Sequence, residues 1–594
     1  MTLRQGGAEK QLSVLNNLKK AIDLHQSGDL LQAEKIYRGV LEKAPEQPDA
    51  LHLLGLILHQ QGKHAGAIDL ITRAIKLKPT DPVYYSNLGS AFHGLGRLND
   101  ALVCYQKSLS IEPNYAETYI NLGNVLKEVD QVEKAASCYR KAIALDPQNP
   151  QSHTALGNIL QMLGRCDEAI ACHRQALSLK PDYDLAYSNL LLAMRYMENS
   201  AEEDVFKEHR GFSERFEAPL IPHWQPHLNP RDPDKKIKVG YVSGDFHNHS
   251  LSYFFEPILA CHDKSSVEIY CYHNNIKQDE NTKKIADLAD HWLVCDGMDD
   301  DALAERVRSD GIDILVDLSG HTGLNRLKVF ARKPAPVQAT WMGYPGTTGL
   351  IAMDYRITDA FLDPPGLTEH YHTEQLLRLP DIGAAYRPQP GCPEVNPLPA
   401  LTNGFITFAS LNNSAKLNPA LIHVWSSVLS AVPGSRLVLG NMTDQALQQD
   451  VTGLFANCGI PSERLVMLPR VSLEEYFSIH HQIDIGLDTF PYNGGTTTIH
   501  ALWMGVPVVT LAGSTAISRQ GLSLLSRVGL VDFIAQDHEQ YVSIAVQFAN
   551  NPMGLNRVRQ NLRQKVNGGS YAPEIITRHL ETAYRQMWRK WCAS

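Results

Sequence analysis

Residues 484–498 read Asp-Ile-Gly-Leu-Asp-Thr-Phe-Pro-Tyr-Asn-Gly-Gly-Thr-Thr-Thr, and an apolar run from Ile499 to Met504 follows. Ile483, Ile485 and Leu487 alternate as a short strand does. Pro491, Asn493, Gly494 and Gly495 predict a turn, three threonines open a helix, and Gly505 and Pro507 close it. The start of that helix offers unpaired backbone N–H groups, the hydroxyls of Thr496, Thr497 and Thr498, and the positive end of a helix dipole. Together these groups make a seat for a diphosphate, and Gly495 allows close backbone approach. Taken alone, the stretch also reads as an ordinary strand–turn–helix with a threonine N-cap.

The surrounding chain has the same texture in two blocks. Strands are expected at 404–409, 436–439, 465–468, 483–487 and 506–511 in one block. In the other they are expected at 237–243, 267–273, 312–318, 337–342 and 355–358. Strands alternating with helical stretches indicate parallel sheets with helices on both faces. A proline-rich connector, 388–399, separates the blocks, so a ligand is expected at the carboxyl ends of the strands, in a cleft between two halves. The last segment, Leu555 to Trp591, reads as helical and is expected to pack back across both halves.

Upstream, the pattern is different. Pro45, Pro79, Pro113, Pro147 and Pro181 lie 34 residues apart, as do Ala33, Ala67, Ala101, Ala135 and Ala169. Gly55, Gly89, Gly123 and Gly157 keep the same period, and so do Gly28, Gly62 and Gly96, with Asp130 standing where the next glycine would be before Gly164. This is the tetratricopeptide pattern: paired antiparallel helices with small residues where they cross and proline ending the second. A solenoid over roughly 14–195 follows, because each unit buries its apolar face only by stacking. Asn87, Asn121 and Asn189 share one position in their units. Such a ladder either hydrogen-bonds the backbone of an extended protein acceptor or solvates a polar helix face. The period fails at Met197, and a charged helical piece, Glu202 to Glu217, leads into Pro222, Pro226, Pro230 and Pro233. The expected layout is therefore a solenoid at 11–200, a linker at 201–234, a first α/β half at 235–388 and a nucleotide-sugar-binding half at 389–594.

Composition narrows the function. A chain of 594 residues is too long for one core. Lys+Arg 55 against Asp+Glu 64 leaves a net charge of -9, with no basic surplus to indicate nucleic acid. Met1 to Lys10 lacks the apolar core of a signal peptide, and no stretch reaches the roughly 20 apolar residues that span a bilayer. The chain thus reads as a soluble cytoplasmic protein. The ten cysteines contain no CxxC pair, and the pairs His247/His249 and His480/His481 lack a ligand set with metal spacing, so no metal is expected.

Further stretches are specific. They are 239–254 (Val-Gly-Tyr-Val-Ser-Gly-Asp-Phe-His-Asn-His-Ser-Leu-Ser-Tyr-Phe), Asp317-Leu-Ser-Gly-His-Thr322, the 334–349 run containing Gly-Tyr-Pro-Gly-Thr-Thr-Gly, and Asn412-Asn-Ser-Ala-Lys416. With the repeats and the opening stretch, they resemble the O-GlcNAc transferase/SPINDLY family of protein O-glycosyltransferases over nearly the whole chain. The Gly320-His-Thr322 and Tyr344–Leu350 stretches look closest to the SPINDLY branch. The resemblance implies an α-solenoid of tetratricopeptide repeats followed by an α/β glycosyltransferase of GT-B type, with two Rossmann-like halves. It implies inverting, metal-independent transfer of one sugar to Ser or Thr hydroxyls, with a nucleotide-sugar as co-substrate and no cofactor. It implies protein acceptors along the repeats, leaving open a homodimer through them. By the same match, Lys416 neutralises the leaving diphosphate, Asn413 lies near the nucleotide, and Tyr476 stacks on the base. His249 orients or deprotonates the acceptor hydroxyl, and His321 and Tyr344 face the cleft. His500 stands where relatives place a carboxylate for the ribose, Gly440 replaces a basic residue, and Tyr476 replaces a histidine. SPINDLY implies GDP-fucose, with Arg470 able to read guanine's acceptor edge, and UDP-GlcNAc is the second donor. A catalytically silent repeat scaffold is the alternative from another class.

Overall fold

The computed structural model describes residues 2–198, 200–380, 385–388 and 391–594. Gln389 and Pro390 of the expected connector lie outside them. By contact density the chain divides into residues 1–159 and 160–594.

The first unit consists of helix pairs, among them Pro48–Gln60 with His64–Leu77, Pro82–Gly94 with Leu98–Ile111, and Ala116–Glu128 with Val132–Leu145. The 34-residue registers each have a physical cause. Gly28, Gly62 and Gly96 sit in the turns within pairs at φ +88°, +75° and +75°, and Asp130 takes φ +56° at the same register. A Cβ on Gly89 or Gly123 would lie 2.6 Å or 2.7 Å from the ring of Tyr105 or Tyr139, so glycine lets the paired helices cross closely. Ala33, Ala67, Ala101 and Ala135 are fully buried at these crossings. Each proline follows a helix-ending residue, for example Lys78 at φ -139°, a backbone that a following proline favours.

The second unit holds two sheets. Strands β1 (Ile237–Ser243), β2 (Val267–His273), β3 (His291–Val294), β4 (Ile314–Asp317), β5 (Val337–Thr340), β6 (Tyr355–Asp359) and β7 (Gln375–Leu379) form one sheet in the order β3-β2-β1-β4-β5-β6-β7. Strands β8 (Thr407–Ser410), β9 (Arg436–Leu439), β10 (Leu465–Met467), β11 (Ile485–Leu487), β12 (Val508–Leu511) and β13 (Ile534–Ala535) form the other, in the order β10-β9-β8-β11-β12-β13. The pairings in both are parallel. Each sheet reverses direction of winding next to its first strand, at β1/β4 and at β8/β11, and those crevices are where a doubly wound fold takes ligands.

Two boundaries differ from the sequence reading. The helix expected in the 201–234 linker is there as Glu202–Phe216, but it joins the core rather than linking domains: its Val205, His209, Phe212 and Phe216 are buried. Its charge lies on the outer face, and its apolar stripe joins one core with Tyr187, Leu191, Leu327 and Phe330. The last repeat helices, Cys166–Leu179 and Asp184–Met194, belong to the same unit as the sheets. The last segment spans both halves as expected: Pro552–Lys565 lies against the second, with Arg559 Nη1 donating to Ile483 O, and Pro573–Ala593 packs on the first, with Tyr584 Oη 2.9 Å from Tyr241 Oη and Trp588 Nε1 donating to Asp232 O.

Candidate active site

The second sheet's crevice collects the groups expected to hold a diphosphate. β8 ends at Ser410 and runs through Asn412 into a single 3-10 turn, Ser414–Lys416. β11 ends at Leu487 and runs through Asp488 into the loop before the helix Thr496–Trp503. Asp488 shapes that loop by accepting hydrogen bonds from the N–H groups of Thr489 (2.9 Å) and Gly494 (2.6 Å) and from Thr510 Oγ1 (2.7 Å). Burial pushes its carboxyl up to about 6 against those donors.

Lys416 Nζ donates to Asn493 O at 2.7 Å and reaches Asn412 Oδ1 at 3.4 Å. Thr497 Oγ1 donates to the same Asn412 Oδ1 at 2.8 Å. One amide oxygen therefore ties the strand-end lysine to the first turn of the helix. Burial lowers the Lys416 ammonium to about 8, with Asp488 acting in the opposite direction. Among the described residues no carboxylate bonds to Lys416 to neutralise its charge. A Cβ on Gly494 would lie 2.7 Å from Thr497 Oγ1, 2.6 Å from Thr498 Oγ1 and 3.0 Å from Asn412 Oδ1. The glycine is thus part of the cradle. Gly494→Ala displaces these hydroxyls, and losing one charge-assisted hydrogen bond weakens nucleoside-diphosphate binding by about 10–100-fold. Calorimetry with GDP and UDP checks this; unchanged affinity for both means the cradle is not used.

The first sheet supplies His249 from the loop after β1. Its Nδ1 lies 3.6 Å from Asp245 Oδ2 and accepts a 3.3 Å bond from Leu251 N–H, and its side chain is 44 % exposed. The helix that follows, Ser252–Cys261, carries Tyr253, whose ring centre is 5.4 Å from that of His500 on the helix Thr496–Trp503. The two halves meet at this contact.

His500 and Tyr476 lie together, with ring centres 5.6 Å apart edge to face. His500 is buried within an aromatic enclosure that also includes Tyr386 and Phe477. His500 Nε2 and Tyr476 Oη are buried with no hydrogen-bond partner among the described residues. Burial holds the imidazole down at about 3, so it is a neutral donor or acceptor and cannot stand in for a carboxylate's charge.

Other expectations fare less well. His321 does not face the cleft. It is fully buried, with Nε2 donating to Thr348 O (2.9 Å) and Nδ1 against Ser188 Oγ (3.2 Å), and burial lowers it to about 4. Tyr344 is equally buried, its hydroxyl 2.9 Å from His209 Nε2. Both are covered by the helix Glu202–Phe216, whose charge places it at the surface in the sequence reading but whose Phe212 and His209 lie against them. Asn413 is exposed and caps the 3-10 turn through Ala415 N–H; its neighbour Asn412 is the residue that points inward. Arg470 is exposed at the end of β10, its backbone N–H on Thr443 Oγ1. Asn87 is engaged with His52 (2.7 Å), Asn121 is half-buried, and Asn189 is buried rather than presented on an open groove. Asn412, Asp488, Tyr492 and Asn493 went unassigned, although all four lie inside the stretches that drew attention. Among the described residues no cluster of three or more His, Cys, Asp or Glu could hold a metal ion, and no helix is long and apolar enough to cross a membrane.

Residues 220–382 and 398–571, the two sheets with their helices, match the model of glycosyl transferase family 41. The chain belongs to glycosyl transferase family 41. Tetratricopeptide models match 18–82, 90–130, 130–164 and 152–186. The probable UDP-N-acetylglucosamine–peptide N-acetylglucosaminyltransferase SPINDLY of Oryza sativa subsp. japonica is 41% identical over 415 residues, covering 68% of this chain and 45% of the rice protein. The Arabidopsis thaliana SPINDLY is 41% identical over 420 residues with the same shares. The Arabidopsis SEC protein, named in the same way, is 30% identical over 372 residues, which places this family 41 chain nearer SPINDLY than SEC. The chain spans about half the length of these curated relatives. A mutant O-GlcNAc transferase from Thermobaculum terrenum superposes with a TM-score of 0.81 at 34% identity, covering 86% of this chain and 98% of that one.

Proposed function

We propose that this family 41 chain is a protein O-glycosyltransferase that moves a single sugar from a nucleotide-sugar to Ser or Thr hydroxyls of proteins bound by its repeats. The observation that carries the reading is the convergence of Lys416 and Thr497 on Asn412 Oδ1 at a helix start, in the β8/β11 crevice. A leaving diphosphate needs its developing charge met, and a preorganised cation plus a helix N-terminus meets it without reorganisation. The acceptor oxygen attacks the anomeric carbon, the bond to the diphosphate breaks with its electrons, and the hydroxyl proton goes to a base. On this reading transfer is inverting and metal-independent, so it persists in excess chelator. His249 is the candidate base. For Nε2 to take the proton, the ring's own proton must sit on Nδ1, towards Asp245, rather than leave Nδ1 accepting from Leu251.

The favoured donor is GDP-fucose, supported by the SPINDLY-like stretches and by the exposed Arg470 guanidinium, which suits guanine O6 and N7. UDP-GlcNAc is the second reading, favoured by the names of the plant relatives and of the bacterial transferase. Calorimetry is expected to show GDP binding more tightly than UDP. Intact-mass spectrometry of candidate acceptors with each nucleotide-sugar then names the sugar. A preference for UDP with an N-acetylhexosamine added overturns the fucose assignment alone; no transfer from any nucleotide-sugar to any acceptor leaves the scaffold reading.

A further inference from the structure

A short aromatic column runs from the last repeat helix to the diphosphate seat. Lys416 Nζ lies 4.2 Å from the centre of the Tyr492 ring. The Tyr492 ring centre lies in turn 4.8 Å from that of Tyr196, at an interplanar angle of 51°. Tyr196 stands in the turn that ends the helix Asp184–Met194, its backbone N–H bonded to Ala193 O. A second approach runs alongside. Gly164, at φ +74°, comes so close to the segment carrying the lysine that a Cβ there would lie 2.9 Å from Leu417 O. Two separate points of the last repeat thus touch residues on either side of the cation.

The ring face matters because Lys416 is desolvated. An ammonium taken out of water loses hydration, and the negative face of an aromatic ring returns part of it without cancelling the charge as a carboxylate would. Such a partner suits a lysine whose charge must remain available to a phosphate. We propose that Tyr492 is a positioning residue for Lys416, and that Tyr196 holds its ring in place, so that the end of the repeats is part of the diphosphate site. This rests on the role given to Lys416 above. The titratable groups around the column are Asp488, which favours the lysine's charge, Arg195 and Tyr344, which act on Tyr492, and Cys166, which acts on Tyr196. Burial pushes the Tyr492 phenol up to about 12, so it faces the lysine as a neutral ring.

The test is calorimetry of GDP and of UDP against the full chain, at pH values on either side of 8. Tyr492→Leu is expected to weaken both by about tenfold, the size of a desolvated cation–π contact, and to make binding fade at a lower pH than in the unsubstituted chain. Tyr492→Phe, which keeps the ring face, restores both affinity and pH profile. Tyr196→Ala gives a smaller loss with the same shift in pH profile, and Tyr196→Phe restores it. A Tyr492→Leu protein with the affinity and pH profile of the unsubstituted chain overturns the proposal, while weakened binding in Lys416→Ala alone leaves the diphosphate site standing. If Lys416→Ala binds both nucleotides normally, the diphosphate reading and the positioning role fall together. Should Tyr196→Ala fail to fold, the comparison of leucine with phenylalanine at Tyr492 decides.

Discussion

Lys416→Ala is expected to lower the transfer rate by about 10²–10³ at saturating donor while leaving the fold intact, the typical cost of removing one preorganised charge partner from a transition state. The lysine's contacts are with Asn493 O, Asn412 Oδ1 and the Tyr492 ring, none of which needs a cation for its own place in the fold. Asn493 stays anchored through its amide on Thr489 O, and Asn412 Oδ1 stays bonded to Thr497. The loss therefore falls on the reaction. Burial has already lowered this ammonium to about 8, so its charge is complete below that pH and is lost as pH rises through it. Diphosphate favours the charged form, so binding above pH 8 takes up a proton and weakens as pH increases. Lys416→Ala should flatten that fall. Near-normal turnover in the variant removes the lysine from the mechanism and leaves the helix start alone.

The second large effect concerns where the chain is cut. Removing residues 1–146 is expected to abolish modification of full-length proteins, yet leave a folded chain that hydrolyses the donor slowly and modifies a short peptide. Most of the proposed acceptor platform, including Asn87 and Asn121, lies in the first unit and the diphosphate seat in the second, and a cut before the helix Pro150–Met162 falls outside the second unit. Removing residues 1–185 has a different outcome. It strips Ala176 and Leu177, which share one apolar cluster with Leu190, Phe212, Leu327 and Phe330 of the catalytic part. A buried leucine is worth roughly 1.5–3 kcal/mol, and the neighbours it covers become exposed as well. The longer deletion should melt well below the shorter one in a thermal scan. If the 147–594 chain modifies full-length proteins as well as the intact one, the repeats are not the acceptor platform.

What could be read from sequence follows from how local each cause is. The 34-residue registers are legible because unit after unit repeats the crossing alanine and terminal proline, with a turn glycine in all but the one where Asp130 stands. Central strands such as Ile314–Asp317 show as short apolar runs because both faces are buried. The edge strand His291–Val294, by contrast, is only partly covered and was missed. Lys416 and the threonine turn were found because helix start, glycine and hydroxyls sit within a few residues of each other. His321 and Tyr344 were misassigned because their burial depends on Glu202–Phe216, a helix more than 100 residues away whose surface charge disguises its apolar stripe. The choice between Asn412 and Asn413 depends on which way one peptide turns after β8. That turn is set by Asn441, whose amide holds the carbonyls of Leu411 and Asn412.

The placement of the final helix sets an order on the making of this protein. Tyr241, in the first strand of the first sheet, finds its hydroxyl partner in Tyr584, 343 residues later. His262 and the backbone of Asp263 likewise wait for Glu581. At about 5–20 residues per second on a ribosome, that interval is on the order of 20–70 s. The helical repeats, whose contacts are between neighbours, can close as they emerge. The first sheet must instead stand with an open flank until the helix Pro573–Ala593 leaves the exit tunnel. A chain ending before Pro573 would keep every group named in the diphosphate seat and still leave that flank uncovered, a surface for chaperones rather than for substrates.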